Sequence, residues 1–143
     1  MALKLADGAL EWRREVGAGV LGAAAIVGDL AVFTDTAGRV QALDAKTGEP
    51  RWAHKGEAPF FAGPAVSGGT VYAADLKGVV RAVGLKDGGL LWKLDVTPAA
   101  GAPGMVYGSP VLRGGRLYVA TCNVEGASAG QGTALVCIGA GEQ

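Results

Sequence analysis

Short apolar runs separated by glycine-containing breaks set the pattern of this chain. In residues 65–73, β-branched and aromatic residues flank a Gly-Gly pair, which is typical of a hairpin. Further breaks at 76–78 and 86–89 favour tight turns, because glycine readily adopts the positive φ that such turns need. Apolar positions at helical spacing are always interrupted by glycine, so no helix is predicted. The pattern predicts antiparallel strands near residues 63–67, 70–75, 79–84 and 90–95.

The same pattern recurs along the chain at a constant spacing. Tryptophan stands at Trp12, Trp52 and Trp92, each preceded four positions earlier by a glycine: Gly8, Gly48 and Gly88. The distance along the sequence from Trp12 to Trp52, called one repeat below, equals the distance from Trp52 to Trp92. It also relates further identical pairs: Gly28 and Gly68, Asp35 and Asp75, Gly38 and Gly78, Ala42 and Ala82, Lys46 and Lys86. The strands of a preceding unit are therefore expected one repeat earlier.

A third unit follows with two insertions. After a lengthening of six residues, a second set of four residues matches the first: Pro110, Gly114, Leu117 and Tyr118 correspond to Pro64, Gly68, Val71 and Tyr72. The second insertion covers residues 123–131, and residues 135–139 then take the place of residues 40–44. The repeat units are about 2–41, 42–81 and 82–139, within a single domain of residues 1–143.

A period of about 40 residues with four strands predicts β-propeller blades. The expected fold class is all-β, with three four-stranded antiparallel repeats that stack because one such sheet cannot bury both faces alone. Three blades leave two open faces, so we expect a partial propeller or half of an oligomeric ring. The chain begins with a strand around Trp12 that corresponds to the fourth strand of a blade, and it stops after a strand around Val136 that corresponds to the third. The two ends therefore complement each other. The N-terminal strand of a partner copy could therefore supply the missing strand.

Composition narrows the classes of partner. The 143 residues are half hydrophobic, and 13 basic residues balance 13 acidic ones. A balanced charge does not favour nucleic acid or an anionic membrane as partner. Apolar stretches fall far short of the roughly 20 residues that a spanning helix needs, and no secretory signal is found at the start. We therefore expect neither nucleic-acid binding nor membrane insertion.

The segment 42–52 reads Ala-Leu-Asp-Ala-Lys-Thr-Gly-Glu-Pro-Arg-Trp. It resembles the tryptophan-docking motif of the quinoprotein, or PQQ-like, repeat family, which has the pattern Ala-x-Asp-x-x-x-Gly-x-x-x-Trp. Weaker copies span 2–12 and 82–92, where Lys4 and Gly84 replace the aspartate. Similar repeats occur in pyrroloquinoline-quinone dehydrogenases and in non-catalytic BamB-like proteins of outer-membrane assembly. The resemblance implies a periplasmic or extracytoplasmic location.

The predicted role of the motif is structural. An indole offers a flat apolar face and one N–H donor, so it can stack on the glycine backbone of a neighbouring blade while its nitrogen bonds a carbonyl. The resemblance implies that Asp44 ties down its own turn and that Thr47 and Gly48 shape it. The full set of docking residues is Trp12, Trp52, Trp92, Gly8, Gly48, Gly88, Ala42, Asp44 and Thr47.

Quinoprotein dehydrogenases, as a family, hold quinone over calcium bound by Glu and Asn, use an Asp base and often contain adjacent cysteines. Here Cys122 and Cys137 lie far apart in sequence. On paired strands around the second insertion they would be offset by four residues, about 13 Å, beyond the roughly 7 Å between Cα atoms that a disulfide tolerates. We predict free thiols. Asn123 and Glu125 alone do not make a cation site.

Other candidate groups also favour structural roles. His54 is the only histidine, has no nucleophile in a triad pattern, and is expected to face solvent from a strand. Asp35 and Asp75 share one phase of the repeat, where carboxylates accept backbone N–H bonds before a turn. Residues 17–22 are glycine-rich but lack the helix and the Lys-Ser/Thr of a phosphate loop. No catalytic, cofactor-binding or metal-binding residue is predicted.

The function expected from the sequence is a non-catalytic PQQ-like propeller module that serves as a protein-interaction or scaffolding surface. Its partner would be another protein or a second copy bound through the open blade faces, and neither PQQ nor calcium is expected as a cofactor. The alternatives are a fragment of a PQQ-dependent dehydrogenase and the sensor domain of a larger protein.

Overall fold

The computed structural model describes residues 1–139 and is all-β, as predicted. Thirteen strands account for most of its regular structure. They are β1 (Ala2–Leu3), β2 (Leu10–Trp12), β3 (Ala25–Val27), β4 (Leu30–Thr34), β5 (Arg39–Asp44), β6 (Pro50–Lys55), β7 (Ala65–Ser67), β8 (Thr70–Ala74), β9 (Val79–Gly84), β10 (Leu90–Asp95), β11 (Val111–Arg113), β12 (Arg116–Ala120) and β13 (Leu135–Ile138).

Consecutive strands pair into antiparallel sheets. Strands β3 to β6 form one four-stranded sheet and β7 to β10 form another. The two sheets recur at the predicted spacing of one repeat, and each predicted strand is found within two residues of its expected bounds. The six-residue lengthening is also confirmed, because Ala65 pairs with Tyr72 in one sheet and Val111 pairs with Tyr118 in the next.

The sheets and the sequence units are out of phase, which is where the architecture differs from three four-stranded repeats. The unit boundary between residues 41 and 42 falls inside β5, so each sequence unit begins with the third strand of one sheet. Within residues 1–139, the first sheet consequently holds only β1 and β2, and the last holds β11, β12 and β13. The sequence repeat marks the docking motif, whereas the sheet is defined by strand pairing.

The core lies between successive sheets. Val32 and Val40 of the first four-stranded sheet face Val71 and Val83 of the second, and all four are fully buried. A second cluster joins Val80 and the last sheet, including Val119. Burying a valine side chain stabilises the fold by about 1.5–3 kcal/mol, so stacking of the sheets is the main source of stability.

The first insertion contains a helix that the sequence reasoning did not predict. Helix α1 (Val96–Ala100) begins after Asp95, whose side chain accepts a hydrogen bond from the Thr97 N–H. It ends at Gly101, which has φ of 59°, and the buried Val96 anchors it to the core. The expectation of no helix was wrong because a side-chain cap and one anchor suffice for a single turn. The second insertion carries a 3-10 turn at Gly126–Ser128.

Candidate functional site

Two of the three repeated tryptophans bridge neighbouring sheets. The Trp12 Nε1 donates to the Ala45 carbonyl at 3.1 Å, and the Trp52 Nε1 donates to the Leu85 carbonyl at 2.8 Å. The two donors are one repeat apart, and so are the two acceptors. Each bond runs from the last strand of one sheet to the turn that follows the third strand of the next.

Each of these indoles covers a glycine. A Cβ added at Gly48 would lie 2.6 Å from Trp12 Cε3, and one added at Gly88 would lie 2.5 Å from Trp52 Cε3. Both glycines have positive φ, 73° and 71°, a conformation that few other residues adopt without strain. Glycine is therefore needed at these positions both for the turn and for the close approach of the ring.

The turns beneath the indoles share one hydrogen-bond pattern in all three units. The Gly48 N–H donates to the Asp44 carbonyl, and the Asp44 N–H donates to the Glu49 carbonyl. The same two bonds form at the other turns, between Gly8 and Lys4, Lys4 and Ala9, Gly88 and Gly84, and Gly84 and Gly89. The turn thus forms even where the motif aspartate is replaced.

A different aspartate supports the two turns that lack the motif aspartate. The Asp7 carboxylate accepts the Ala9 N–H, and the Asp87 carboxylate accepts the Gly89 N–H, both at 2.9 Å. In the central unit Thr47 stands at this position, and its Oγ1 accepts the Glu49 N–H at 3.3 Å. The sequence feature that could have predicted this hydrogen bond is the polar residue directly before each motif glycine.

Asp44 is tied to its turn and to a neighbouring strand. Its carboxylate accepts the N–H groups of Lys46 and Thr47 at 2.9 and 2.8 Å, and it pairs with Arg51 at 2.5 Å. The bond from Arg51, followed by the Thr47 N–H, lowers the pKa of Asp44 to about 2. Ala42, also in the motif, is fully buried and pairs in register with Trp52.

The residue two positions after each docked tryptophan reaches the same turn. The Arg14 Nε donates to the Gly48 carbonyl at 3.0 Å, and its Nη2 pairs with Glu49 at 2.7 Å. His54, one repeat after Arg14, bonds the Gly88 backbone and is half-buried. Burial lowers the pKa of His54, against the opposing effect of the Gly88 bond. The expectation that His54 faces solvent was wrong, because β6 lies against the next sheet.

The third tryptophan has a different environment. Trp92 is 38% exposed and tilts against Tyr72, with ring centroids 6.0 Å apart. It borders a cavity of about 300 Å³ between the second four-stranded sheet and the last sheet. By the repeat, its carbonyl acceptor would be residue 140, which lies outside the described residues.

The N-terminal turn at Gly8 has no indole packed on its glycine among the described residues. Gly8 has the φ of a docking glycine, 72°, and nothing lies within 4 Å of an added Cβ. Among the described residues, the Gly8 turn has no indole and Trp92 has no turn.

The repeated aspartates hold their own turns. Asp35 accepts the Arg39 N–H and pairs with the Arg39 side chain at 2.7 Å. Asp75 accepts the Val79 N–H and pairs with the buried Arg81 at 2.5 Å. Both carboxylates are fully buried, which places them in the structural role expected from their phase.

The two cysteines have the free thiols and the offset of four residues that were expected. Cys122 and Cys137 are free thiols, and Cys137 pairs in register with Tyr118, four residues before Cys122. Asn123 is buried and donates to the Pro103 and Gly132 carbonyls. Glu125 accepts the Tyr107 hydroxyl, and this bond raises the pKa of Tyr107 to about 12. Across residues 1–139 no group of three or more His, Cys, Asp or Glu is placed to hold a metal.

A cavity that the sequence reasoning missed lies beside the two-stranded first sheet. It measures about 470 Å³ and its lining is mainly apolar, including Ile26, Phe33 and Leu43 of the first four-stranded sheet. Between the other sheets this position is filled by two further strands, which β1 and β2 lack among the described residues. Because side chains alternate along a strand, Phe33 and Leu43 lie on the face opposite Val32. The sequence feature that could have predicted the cavity is therefore the apolar character of both faces of β4 and β5.

Stacked four-stranded antiparallel sheets with indoles docked on glycine turns define a β-propeller of PQQ-like repeats. A family model described as outer membrane protein assembly factor BamB matches residues 1–139. The chain belongs to this family.

Solved structures show the same fold. The crystal structure of BamB from Moraxella catarrhalis is 23% identical, with a TM-score of 0.66, and the match covers 81% of this chain and 35% of that one. Quinohemoprotein alcohol dehydrogenase ADHIIG from Pseudomonas putida HK5 is 22% identical, with a TM-score of 0.67, covering 78% and 18%. Quinohemoprotein alcohol dehydrogenase from Comamonas testosteroni is 19% identical, with a TM-score of 0.65, and the match covers 73% of this chain and 17% of that one. The chain thus spans about a third of the BamB chain and less than a fifth of these two dehydrogenases.

No curated protein sequence matches this chain. Neither helix within the described range is long and apolar enough to cross a membrane.

Proposed function

We propose that this chain is a non-catalytic PQQ-like propeller module that binds protein through its open sheet faces. The observation that carries the proposal is the apolar cavity of about 470 Å³ beside β1. Among the described residues β1 pairs only with β2, so its other edge offers unpaired backbone groups next to the cavity.

A free strand edge beside an apolar cavity suits an extended protein segment. Such a segment can add to a sheet edge by main-chain hydrogen bonds while alternate side chains enter pockets. Ile26 is 65% exposed at the cavity, and Phe33 forms part of its wall. The preferred partner is therefore an extended segment with apolar residues at every second position.

The polar groups of the repeat support a scaffolding role. The Asp35 and Asp75 carboxylates, which recur once per unit, are engaged by Arg39 and Arg81. Trp12 and Trp52 donate their N–H groups to neighbouring turns. The indoles hold neighbouring sheets together and the aspartates hold turns within one sheet, which leaves recognition to the sheet edges and faces. The family description of outer membrane assembly supports an extracytoplasmic site of action.

A labelled peptide of alternating valine and threonine, with terminal lysines for solubility, tests the proposal. Fluorescence anisotropy should rise saturably as the protein is added. Ile26→Asp places a carboxylate at the cavity and should weaken binding by about tenfold or more. Val124→Asp is the matched control, since Val124 is 79% exposed on the second insertion, and should leave binding unchanged. Absence of saturable binding, or equal binding by the Ile26 variant, would contradict the proposal.

A second titration separates the module from a fragment of a quinone-dependent dehydrogenase. Pyrroloquinoline quinone and calcium are added together while quinone absorbance is followed. The proposal expects no saturable change, and saturable quinone binding would favour the enzymatic alternative.

A further inference from the structure

We propose that His54 makes the contact between the two four-stranded sheets sensitive to acid, because protonation of its imidazole places a cation without a carboxylate partner at the Gly88 turn and loosens the docking of Trp52. The inference goes beyond the proposed function, since it concerns the internal contact between β3–β6 and β7–β10. His54 is the only histidine of the chain. Histidine is the side chain whose ordinary pKa lies between about pH 5 and pH 8.

His54 lies on the face of β6 that meets the second four-stranded sheet. It pairs in register with Val40, and directly opposed residues of an antiparallel pair share a face. Val40 is fully buried in the apolar cluster that joins the two sheets. Trp52, two positions earlier on β6, packs against that cluster and covers Gly88. The imidazole and the indole therefore reach the same turn from one face of one strand.

The first docking interface shows how a cation is accommodated at this position. Arg14, one repeat before His54, donates from Nε to the Gly48 carbonyl at 3.0 Å, and its Nη2 pairs with Glu49 at 2.7 Å. His54 keeps the bond to the turn, at the backbone one repeat later. The residue one repeat after Glu49 is Gly89, which has no side chain. A protonated His54 would therefore meet its turn without the carboxylate that Arg14 has.

The cation that faces His54 from the second sheet is Arg81. Arg81 is buried and shares a face of β9 with Val83, which belongs to the cluster between the two sheets. Its guanidinium pairs with the Asp75 carboxylate at 2.5 Å, so Asp75 is already engaged. The charge of Arg81 disfavours protonation of His54.

The other charged groups of the second sheet and of the connection to it do not supply a free carboxylate. Glu57, which follows β6, pairs with Lys93 of β10 at 2.8 Å. On the Gly88 turn, the Asp87 carboxylate accepts the Gly89 N–H at 2.9 Å, and Lys86 is a further cation. The carboxylates on this side of His54 are thus engaged by other donors.

The charged groups of the first sheet have their own partners. Arg51 pairs with Asp44 at 2.5 Å. Lys55 directly follows His54, so alternation places it on the opposite face of β6, where its amine donates to the Ala37 carbonyl. Neither strand of this sheet next to His54 therefore offers it a counter-ion.

These surroundings set the direction in which His54 affects stability. Burial, followed by the charge of Arg81, lowers the pKa of His54 from its ordinary value of 6.5, against the Gly88 bond, which raises it. A lowered folded pKa means that the contribution of the neutral imidazole is fully present above pH 6.5 and is lost as the pH falls through 6.5 toward the folded pKa. Mild acid should therefore weaken this contact before carboxylates such as Asp44, with its pKa of about 2, take up protons.

Proton NMR of the single histidine measures its pKa in the whole chain without any substitution. The value for His54 should lie below 6.5. Gly89→Glu supplies the carboxylate that Glu49 supplies to Arg14, and should raise the pKa. Val124→Glu adds the same charge on the second insertion, where Val124 is 79% exposed, and should leave the pKa unchanged. A wild-type pKa at or above 6.5, or equal responses to the two variants, would overturn the inference.

Hydrogen exchange of the indole N–H groups tests whether the contact itself loosens. The N–H groups of Trp12 and Trp52 donate to backbone carbonyls at 3.1 and 2.8 Å, so each is protected while its ring is docked. From about pH 7.5 to about pH 5.5 the protection of Trp52 should fall relative to that of Trp12, whose neighbour Arg14 keeps its charge throughout. The ratio of the two protections cancels the intrinsic pH dependence of exchange, and Trp52→Phe identifies the signals.

His54→Gln separates the titration from the packing of the side chain. Glutamine retains a donor toward Gly88 and has no group that titrates, so the ratio of indole protections should no longer change with pH. Urea unfolding over the same pH range provides a second readout, in which the unfolding equilibrium constant of wild-type protein should rise several-fold more than that of His54→Gln. A constant ratio in wild-type protein, or the same fall in both proteins, would contradict the proposed role of His54.

Discussion

The indole of Trp52 lies so close to Gly88 that an added Cβ there would be 2.5 Å from Cε3. The ring, its N–H bond to Leu85 and the positive φ of Gly88 form one unit that joins the two four-stranded sheets. The equal spacing of the three tryptophans in the sequence reflects this arrangement of ring, hydrogen bond and glycine turn.

Gly88→Ala should destabilise the protein more than Gly68→Ala. Both glycines have positive φ, 71° and 57°, so each substitution incurs backbone strain of about 1–2 kcal/mol. Only Gly88 faces an indole, whereas nothing lies within 4 Å of a Cβ at Gly68. The clash should add about 1–3 kcal/mol. Urea unfolding measures the difference, and equal losses for the two variants would show that the ring does not depend on glycine.

Trp52→Phe should lower the free energy of unfolding by more than Trp92→Phe. The first substitution removes the 2.8 Å bond to the Leu85 carbonyl and part of the ring, a loss of about 1 kcal/mol for the bond alone. Trp92 is 38% exposed within its own chain. A larger loss at Trp92 would contradict the assigned docking pattern.

Strand positions and the docking spacing could be predicted because glycine turns and large apolar residues leave a local signal in every unit. Helix α1 could not, since it depends on the Asp95 cap and on burial of Val96, and neither has a repeat counterpart. The limits of the second four-stranded sheet were also predicted, because its four strands lie within two residues of their expected positions. The cavity beside β1 depends on which strands are adjacent in space, which no single segment encodes.

The buried pair of Asp75 and Arg81 supports a third prediction. Asp75→Asn leaves the Arg81 guanidinium buried without its carboxylate and should cost about 3–5 kcal/mol. Arg81→Gln should cost less, since Gln41 stands at the same repeat position and donates to Asp35 at 2.6 Å. Thermal unfolding of both variants measures the order. The reverse order would mean that Arg81 has a role beyond neutralising Asp75.

The same measurement on an exposed pair provides the control. Asp29 lies 3.7 Å from Arg51, and both side chains are exposed. Asp29→Asn should therefore change stability by less than about 1 kcal/mol, because solvent screens the pair. A loss as large as that of Asp75→Asn would show that the global charge, rather than burial, sets the effect.

Acid sensitivity should depend on Asp44. The bond from Arg51 and the turn N–H groups hold the pKa of this carboxyl near 2 in the folded chain, below the ordinary value of 3.8. A lowered folded pKa means that the carboxylate stabilises the fold above pH 3.8 and that this contribution is lost as the pH falls toward 2. Asp44→Asn should therefore show a smaller drop in Tm between about pH 6 and about pH 2.5 than the wild-type protein. Arg51→Gln, which removes the largest cause of the shift, should reduce the drop in the same direction. If both variants kept the full pH dependence of the wild-type protein, other carboxylates would have to account for its acid sensitivity.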